Sequence, residues 1–312
     1  MFWFFTALRH QIDGLWPQKT SFTVDQIPDM SGKVVIVTGG NSGLGKETVK
    51  ALLMKNATVY IAARSPERAQ STIDELESVT GRKALYLKLN LANLREVNTA
   101  ATEFLSKEQR LDILVNNAGV MLPLSDQLTE DGYDLEFGTN VMGHFAFTRK
   151  LLPLLIHTAL TSPPGSVRIV NVASSMHAFT RTIDFASLTD GPARQSKRWV
   201  SLYCQSKFGL IVFAHELARR YGEKGIVAIS VHPGTIDTKL HQHTRYIGDS
   251  VFTKAELGVL TQLYAAAGPE AADLGGKYLV PWACVGEPVP ATQDPELGSR
   301  LWDWMEEQIK NL

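Results

Sequence analysis

Cysteine is nearly missing from this sequence: 312 residues contain only Cys204 and Cys284. Two thiols cannot build a multi-bridge framework or a four-ligand metal site. No His-Glu-x-x-His helix is present, and His241 and His243 stand two apart like strand neighbours rather than a metal pair, so no metal is expected. An excess of one charge is lacking as well. The 31 basic and 32 acidic side chains leave a formal net charge of −1. Without a long basic run, nucleic acid is excluded as a partner. Arg219-Arg220 falls near the end of an expected helix, where cations suit the dipole, and reads as a solvated helix end. A reduced cytoplasmic chain is the expectation.

No apolar run is long enough to span a bilayer, which takes about 20 residues. The candidate is Met1 to Leu8, with Phe2, Trp3, Phe4 and Phe5, but Arg9, His10 and Asp13 interrupt it. A secretory signal would carry a basic region first and a cleavage site after, and neither is clear. Two readings stay open: an arm packed on the domain near the substrate mouth, or peripheral membrane contact through Phe2–Phe5. The short run and the missing Lys/Arg-rich face favour packing.

What is present is core material, with 44% hydrophobic and 20% charged residues. Apolar strands alternate with amphipathic helices from Lys33 onward. The strands are expected at Lys33–Thr38, Ala57–Ala62, Ala84–Leu89, Ile113–Val115, Val167–Val172, Ile226–Val231 and Lys277–Val280. Strands apolar nearly throughout and separated by helices indicate a parallel sheet covered on both faces. The expected fold is a single α/β domain: a doubly wound, Rossmann-type sheet of seven parallel strands with helices on both faces. The chain divides into an apolar arm over 1–30, a dinucleotide-binding and catalytic domain over 31–285, and a C-terminal loop and helix over 286–312.

Directly after the first strand comes Thr38-Gly39-Gly40-Asn41-Ser42-Gly43-Leu44-Gly45, opening a helix. Glycines allow a tight turn and close backbone approach to a pyrophosphate, and the helix N-terminus supplies free N–H groups. The strand–turn–helix context that such a motif requires is present. Glycines at 39, 43 and 45 give Gly-x-x-x-Gly-x-Gly. This resembles the short-chain dehydrogenase/reductase family, its retinol-dehydrogenase and WW-domain-oxidoreductase-like branch in particular, over roughly residues 30 to 285.

The resemblance implies a nicotinamide cofactor held by Gly39, Ser42, Gly43, Leu44 and Gly45. An NAD site usually ends its second strand in a carboxylate. Here that place holds Ala63, followed by Arg64, which suits the extra phosphate of NADP(H). Asn90 stands where the family often has an adenine-contacting Asp, and Asn117 falls in an Asn-Asn-Ala-Gly turn that shapes the cofactor pocket. In Pro233-Gly234-Thr235-Ile236-Asp237-Thr238, Ile236 and Thr238 match the loop over the nicotinamide.

Tyr203 and Lys207 stand at i and i+4 on an expected helix, hence on one face. A neighbouring cation favours phenolate, so Lys207 is expected to lower the Tyr203 pKa. The family assigns Tyr203 as acid/base, with Lys207 also holding the nicotinamide ribose. Its serine, which meets the substrate oxygen, falls on Ser174 by counting from Asn171, with Ser175 as rival. Asn140 matches the helix asparagine that serves the lysine's proton supply. The 29 positions from Ser174 to Tyr203 resemble the longer segment of retinol-dehydrogenase-like members, an insertion at the substrate rim. Residues 239–268 read either as an apolar lid over a lipophilic substrate or as ordinary helix packing. The tail from Leu301 reads as an amphipathic helix.

The resulting expectation is NADPH-linked interconversion of a lipophilic aldehyde or ketone with its alcohol, of retinoid, terpenoid or polyketide type, as in secondary metabolism. The alternative is a silent NADP(H)-binding scaffold or sensor. Retention of Asn140, Ser174, Tyr203 and Lys207 together favours the enzyme.

Overall fold

β-Branched residues fill the first strand, β1 (Val34–Thr38), and all five positions are buried. Val34 and Ile36 point into one core and Val35 and Val37 into another, as the two-residue period of a strand requires. Such a strand suits only a sheet covered on both sides. The computed structural model describes residues 20–121, 127–234, 236 and 255–312.

After β1 come α1 (Gly43–Met54), β2 (Thr58–Ala63), α2 (Pro66–Thr80), β3 (Leu85–Lys88), α3 (Leu94–Lys107) and β4 (Ile113–Asn116). Helix α2 has clear local causes. The Ser65 side chain accepts from the Arg68 N–H, Pro66 opens the first turn, and Gly81 closes it at φ 69°. A helical turn (Leu135–Phe137) and a π-helical stretch (Gly138–Gly143) lead into α4 (His144–Leu160). Then follow β5 (Val167–Val172), α5 (Trp199–Tyr221), β6 (Ile226–Val231), α6 (Ala255–Ala267), β7 (Tyr278–Val280), β8 (Cys284–Gly286) and α7 (Pro295–Ile309).

The strand order is β3-β2-β1-β4-β5-β6-β7-β8. The order reverses between β1 and β4, and their carboxyl ends part to form the crevice where doubly wound sheets bind ligands. The sheet is Rossmann-like, but the expectation of seven parallel strands needs correction. An eighth strand, β8, pairs antiparallel with β7, placing Leu279 opposite Val285. Three residues with an exposed Val285 carry too little periodicity to be read from sequence.

Phe145 and Phe213, from α4 and α5, meet Trp302 of α7 at ring distances of 5.1 and 6.3 Å. Leu301 and Met305 are buried beside it. Arg219 and Arg220 do end the helix, with Arg219 exposed, but they are also paired. Both guanidinium groups donate to the buried Glu216 carboxylate, and Arg220 lies 4.7 Å from the Trp302 ring. On the opposite face Phe22 packs edge-on against Tyr264 at 5.0 Å, and Ile27 and Met30 join the core. Phe2–Phe5 lie outside the described residues. Of the stretch 239–268, residues 239–254 also lie outside them. The rest includes α6, whose Val259, Leu260 and Leu263 are core. Among the described residues no helix is long and apolar enough to cross a membrane.

Candidate active site

The turn after β1 is a place where only glycine fits. Gly39 and Gly43 have φ of 66° and 51°, a region that side-chain-bearing residues rarely adopt. A Cβ on Gly45 would strike the Gly39 carbonyl and lie 2.7 Å from Asn117 Nδ2. Asn117 interlocks with the turn: its Nδ2 donates to the Thr38 carbonyl at 2.8 Å, and its backbone N–H donates to Thr38 Oγ1 at 2.9 Å. Ser42 caps α1 without a side-chain bond to the helix's own N–H groups. The first turn therefore presents its N–H groups and positive dipole end for an anion.

The other expected cofactor residues lie around this crevice. Leu44 and Ile236 both close on Gly258 of α6. Arg64 is exposed at the end of β2, adjacent to β1 in the sheet, and among the described residues nothing pairs with its guanidinium. Asn90 braces the turn after β3, accepting from the Ala92 N–H at 3.2 Å and donating to Glu130 at 3.4 Å. Thr238 lies outside the described residues. The glycine cradle, the uncapped helix start and the free cation at Arg64 fit a dinucleotide bearing an extra phosphate.

Helix α5 brings Tyr203 and Lys207 to one face, each only 5% exposed, with Nζ 5.7 Å from the phenol ring centre. Lys207 Nζ donates to the Val172 carbonyl at the end of β5, at 2.9 Å. Just beyond that strand end, Ser174 lies beside Tyr203, whose pKa it lowers, and its side chain accepts from the Met176 N–H at 3.2 Å. Ser175 is buried at the start of a 3₁₀ turn (Ser175–Phe179). Asn140 sits in the π-helical stretch, where its side chain accepts from the Val120 N–H at 2.8 Å and donates to the Val120 carbonyl at 3.1 Å and Ser206 Oγ at 3.0 Å. A Cβ on Gly119 would lie 3.1 Å from Asn140 Oδ1 and 3.7 Å from Lys207 Nζ. Asn140, Ser174, Tyr203 and Lys207 thus surround one point beside the Asn117 turn.

The electrostatics differ from the expectation of a phenol acidified by Lys207. Burial is the largest influence on Tyr203 and raises it above an ordinary phenol; neighbouring Ser174 opposes this, and the charge of buried Glu136 adds to it. Burial also pushes Lys207 down to about 8, with Glu136 opposing. The reason is desolvation, which penalises both charged forms together. Burial thus favours the protonated form of the Tyr203 phenol.

Sequence reasoning missed three buried groups. Glu136 is one. His144 is another, signalled only by its i,i+4 spacing from Asn140. The third is His177, whose Nδ1 lies 2.7 Å from the Ser174 carbonyl and whose Nε2 accepts from the Val289 N–H at 3.2 Å. The long segment between Ser174 and Tyr203 folds as 3₁₀ turns and one helical turn, Pro192–Gln195. Arg194 pins it to Asp134 at 3.1 Å, both side chains 3% exposed. Gln205 of α5 also holds it, accepting from the Asp184 N–H at 2.8 Å.

Comparison with known proteins agrees with this geometry. The family model for short chain dehydrogenases matches residues 33–246, and the chain belongs to that family of oxidoreductases. It is 49% identical to a short-chain dehydrogenase/reductase of Armillaria gallica, over 96% of this chain and 97% of that protein. It is 36% identical to a polyprenol dehydrogenase of Mus musculus, over 88% of this chain and 83% of that one. A solved structure from Mycobacterium paratuberculosis superposes with a TM-score of 0.72 at 29% identity, covering 93% of this chain and 98% of that chain. A short chain dehydrogenase from Burkholderia cenocepacia in complex with NADP gives 0.62 at 28%, covering 82% and 98%.

Proposed function

We propose that this chain is an NADP(H)-dependent reductase or dehydrogenase interconverting a lipophilic aldehyde or ketone with its alcohol, with Tyr203 as the acid/base. One observation carries the reading: a buried phenol beside Ser174, one helical turn from a buried lysine, next to a glycine turn fit for a pyrophosphate. NADP(H), when bound, supplies or accepts the hydride. The residues Gly39, Ser42, Gly43, Leu44 and Gly45 would hold its pyrophosphate, Arg64 its additional phosphate, and Asn90, Asn117, Ile236 and Thr238 the rest. The Burkholderia relative's NADP complex supports this choice.

In reduction, Ser174 and Tyr203 both hold the substrate oxygen, and the phenol gives its proton as negative charge builds there. Desolvation keeps the phenol protonated until that moment, so the donor is in the correct state on arrival. Lys207 then lies close enough to favour the phenolate left behind. Asn140 fixes Val120 and Ser206 around the lysine. The segment pinned by Arg194 would border the substrate, and the mouse polyprenol dehydrogenase supports an apolar alcohol or carbonyl compound. NADPH oxidation against a panel of lipophilic aldehydes and ketones tests the reading. Turnover with NADPH in preference to NADH is expected. Full-length protein that binds neither dinucleotide and oxidises none with any carbonyl compound would contradict it.

A further inference from the structure

His144 is wholly buried and lies between the dinucleotide turn and the catalytic helix. Its Nδ1 is 2.8 Å from the Asn140 carbonyl, and its Nε2 is 2.9 Å from Thr38 Oγ1. A carbonyl only accepts, so Nδ1 carries the hydrogen and Nε2 of the neutral ring is an acceptor. Thr38 Oγ1 already receives the N–H groups of Asn117 and Ala118, each at 2.9 Å. Both its lone pairs are thereby used, and its single hydrogen has two acceptors within reach, Nε2 at 2.9 Å and the Val115 carbonyl at 3.3 Å, of which Nε2 is the nearer. A charged ring would present a third donor to that oxygen. Burial, against the opposing Asn140 bond and with a smaller push from the Lys207 charge, holds the imidazole neutral, near a pKa of about 4.

The chain of bonds therefore has one polarity: Asn117 and Ala118 to Thr38, Thr38 to His144, His144 to Asn140. Asn140 in turn carries Ser206 and Val120, next to Lys207. We propose that His144 is a positioning residue that keeps the dinucleotide turn in register with the Asn140–Lys207 side of the site. The role rests on the reading that the turn holds NADP(H).

Two amides separate the ends of the ring. Asparagine places a polar group near Nδ1 and can keep the bond to Asn140 while losing Thr38. Glutamine reaches toward Nε2 and can keep Thr38 while losing Asn140. His144→Asn should raise the Kd for NADPH about tenfold, read by fluorescence titration, with kcat near the parent's; one unmade buried bond has that size. His144→Gln should keep the Kd within about twofold and lower kcat about tenfold. Thr38→Val cuts the same end as His144→Asn, so the double variant should bind no more weakly than the weaker single one. If both histidine variants bind and turn over like the parent, differing only in melting temperature, the residue is packing and the proposal is overturned. Additive losses in the Thr38→Val double variant would overturn it equally. If His144→Asn does not fold, His144→Gln and Thr38→Val still decide it. A parent that binds no dinucleotide overturns the functional reading and this role together; a parent that binds NADPH while the variants match it overturns only the role of His144.

Discussion

Counting from Asn171 favours Ser174 but leaves Ser175 as a rival, because either can end a strand. In the fold Ser174 lies beside Tyr203 and lowers its pKa, whereas Ser175 is buried at the start of the 3₁₀ segment. Ser174→Ala should lower kcat about 100-fold, and Ser175→Ala should stay within a fewfold, in steady-state assays of both variants. Equal losses would remove the distinction. His144 supplies a pH test at the same scale. Folded His144 stays neutral down to about 4, while an unfolded histidine takes a proton near 6.5. Between those values the unfolded chain binds the extra proton, so stability falls with falling pH, by about 3 kcal/mol when complete. The difference in unfolding free energy between parent and His144→Gln should therefore shrink from about pH 7.5 to about pH 4; a constant difference would contradict a buried neutral ring. The Tyr203–Lys207 pair was legible in sequence because one helical turn joins its members. The direction of the Tyr203 shift was not, because desolvation depends on everything packed around the phenol.

Elements with continuous apolar runs were legible for a physical reason. β5 and β6 fall where β-branched runs place them, since a strand buried on both faces needs such a run. β8 had no such signal, as its three residues gain their partner only from β7. The segment between Ser174 and Tyr203 was readable as an insertion by length alone; its fastening to Asp134 joins residues 60 positions apart. Arg194→Ala would leave the Asp134 carboxylate buried without its cation and should cost about 3–5 kcal/mol, measured by urea unfolding. A loss below about 1 kcal/mol would mean that the ion pair does not hold the segment.

At the scale of the molecule, helices cover both faces of one sheet, and α7 closes the side bearing Phe145 and Phe213. The amphipathic pattern around Leu301 announced a helix, but not that Trp302 would seat between α4 and α5. Trp302→Ala should cost about 3–5 kcal/mol in chemical unfolding, with NADPH Kd unchanged in the folded fraction because the residue is remote from the glycine turn. The glycine turn, the Asn117 loop and the strand-end serine come from β1, β4 and β5, three neighbours at the centre of the sheet. Their convergence follows from strand order, which the alternation of strands and helices does not by itself give.

The central claim is that the Tyr203 phenol donates the proton that completes reduction. The most direct measurement is single-turnover NADPH oxidation by Tyr203→Phe with a carbonyl substrate that the parent reduces, alongside its Kd for NADPH. The account predicts a rate at least about 100-fold below the parent's with Kd within about twofold. A Tyr203→Phe protein that oxidises NADPH at the parent's rate would contradict it.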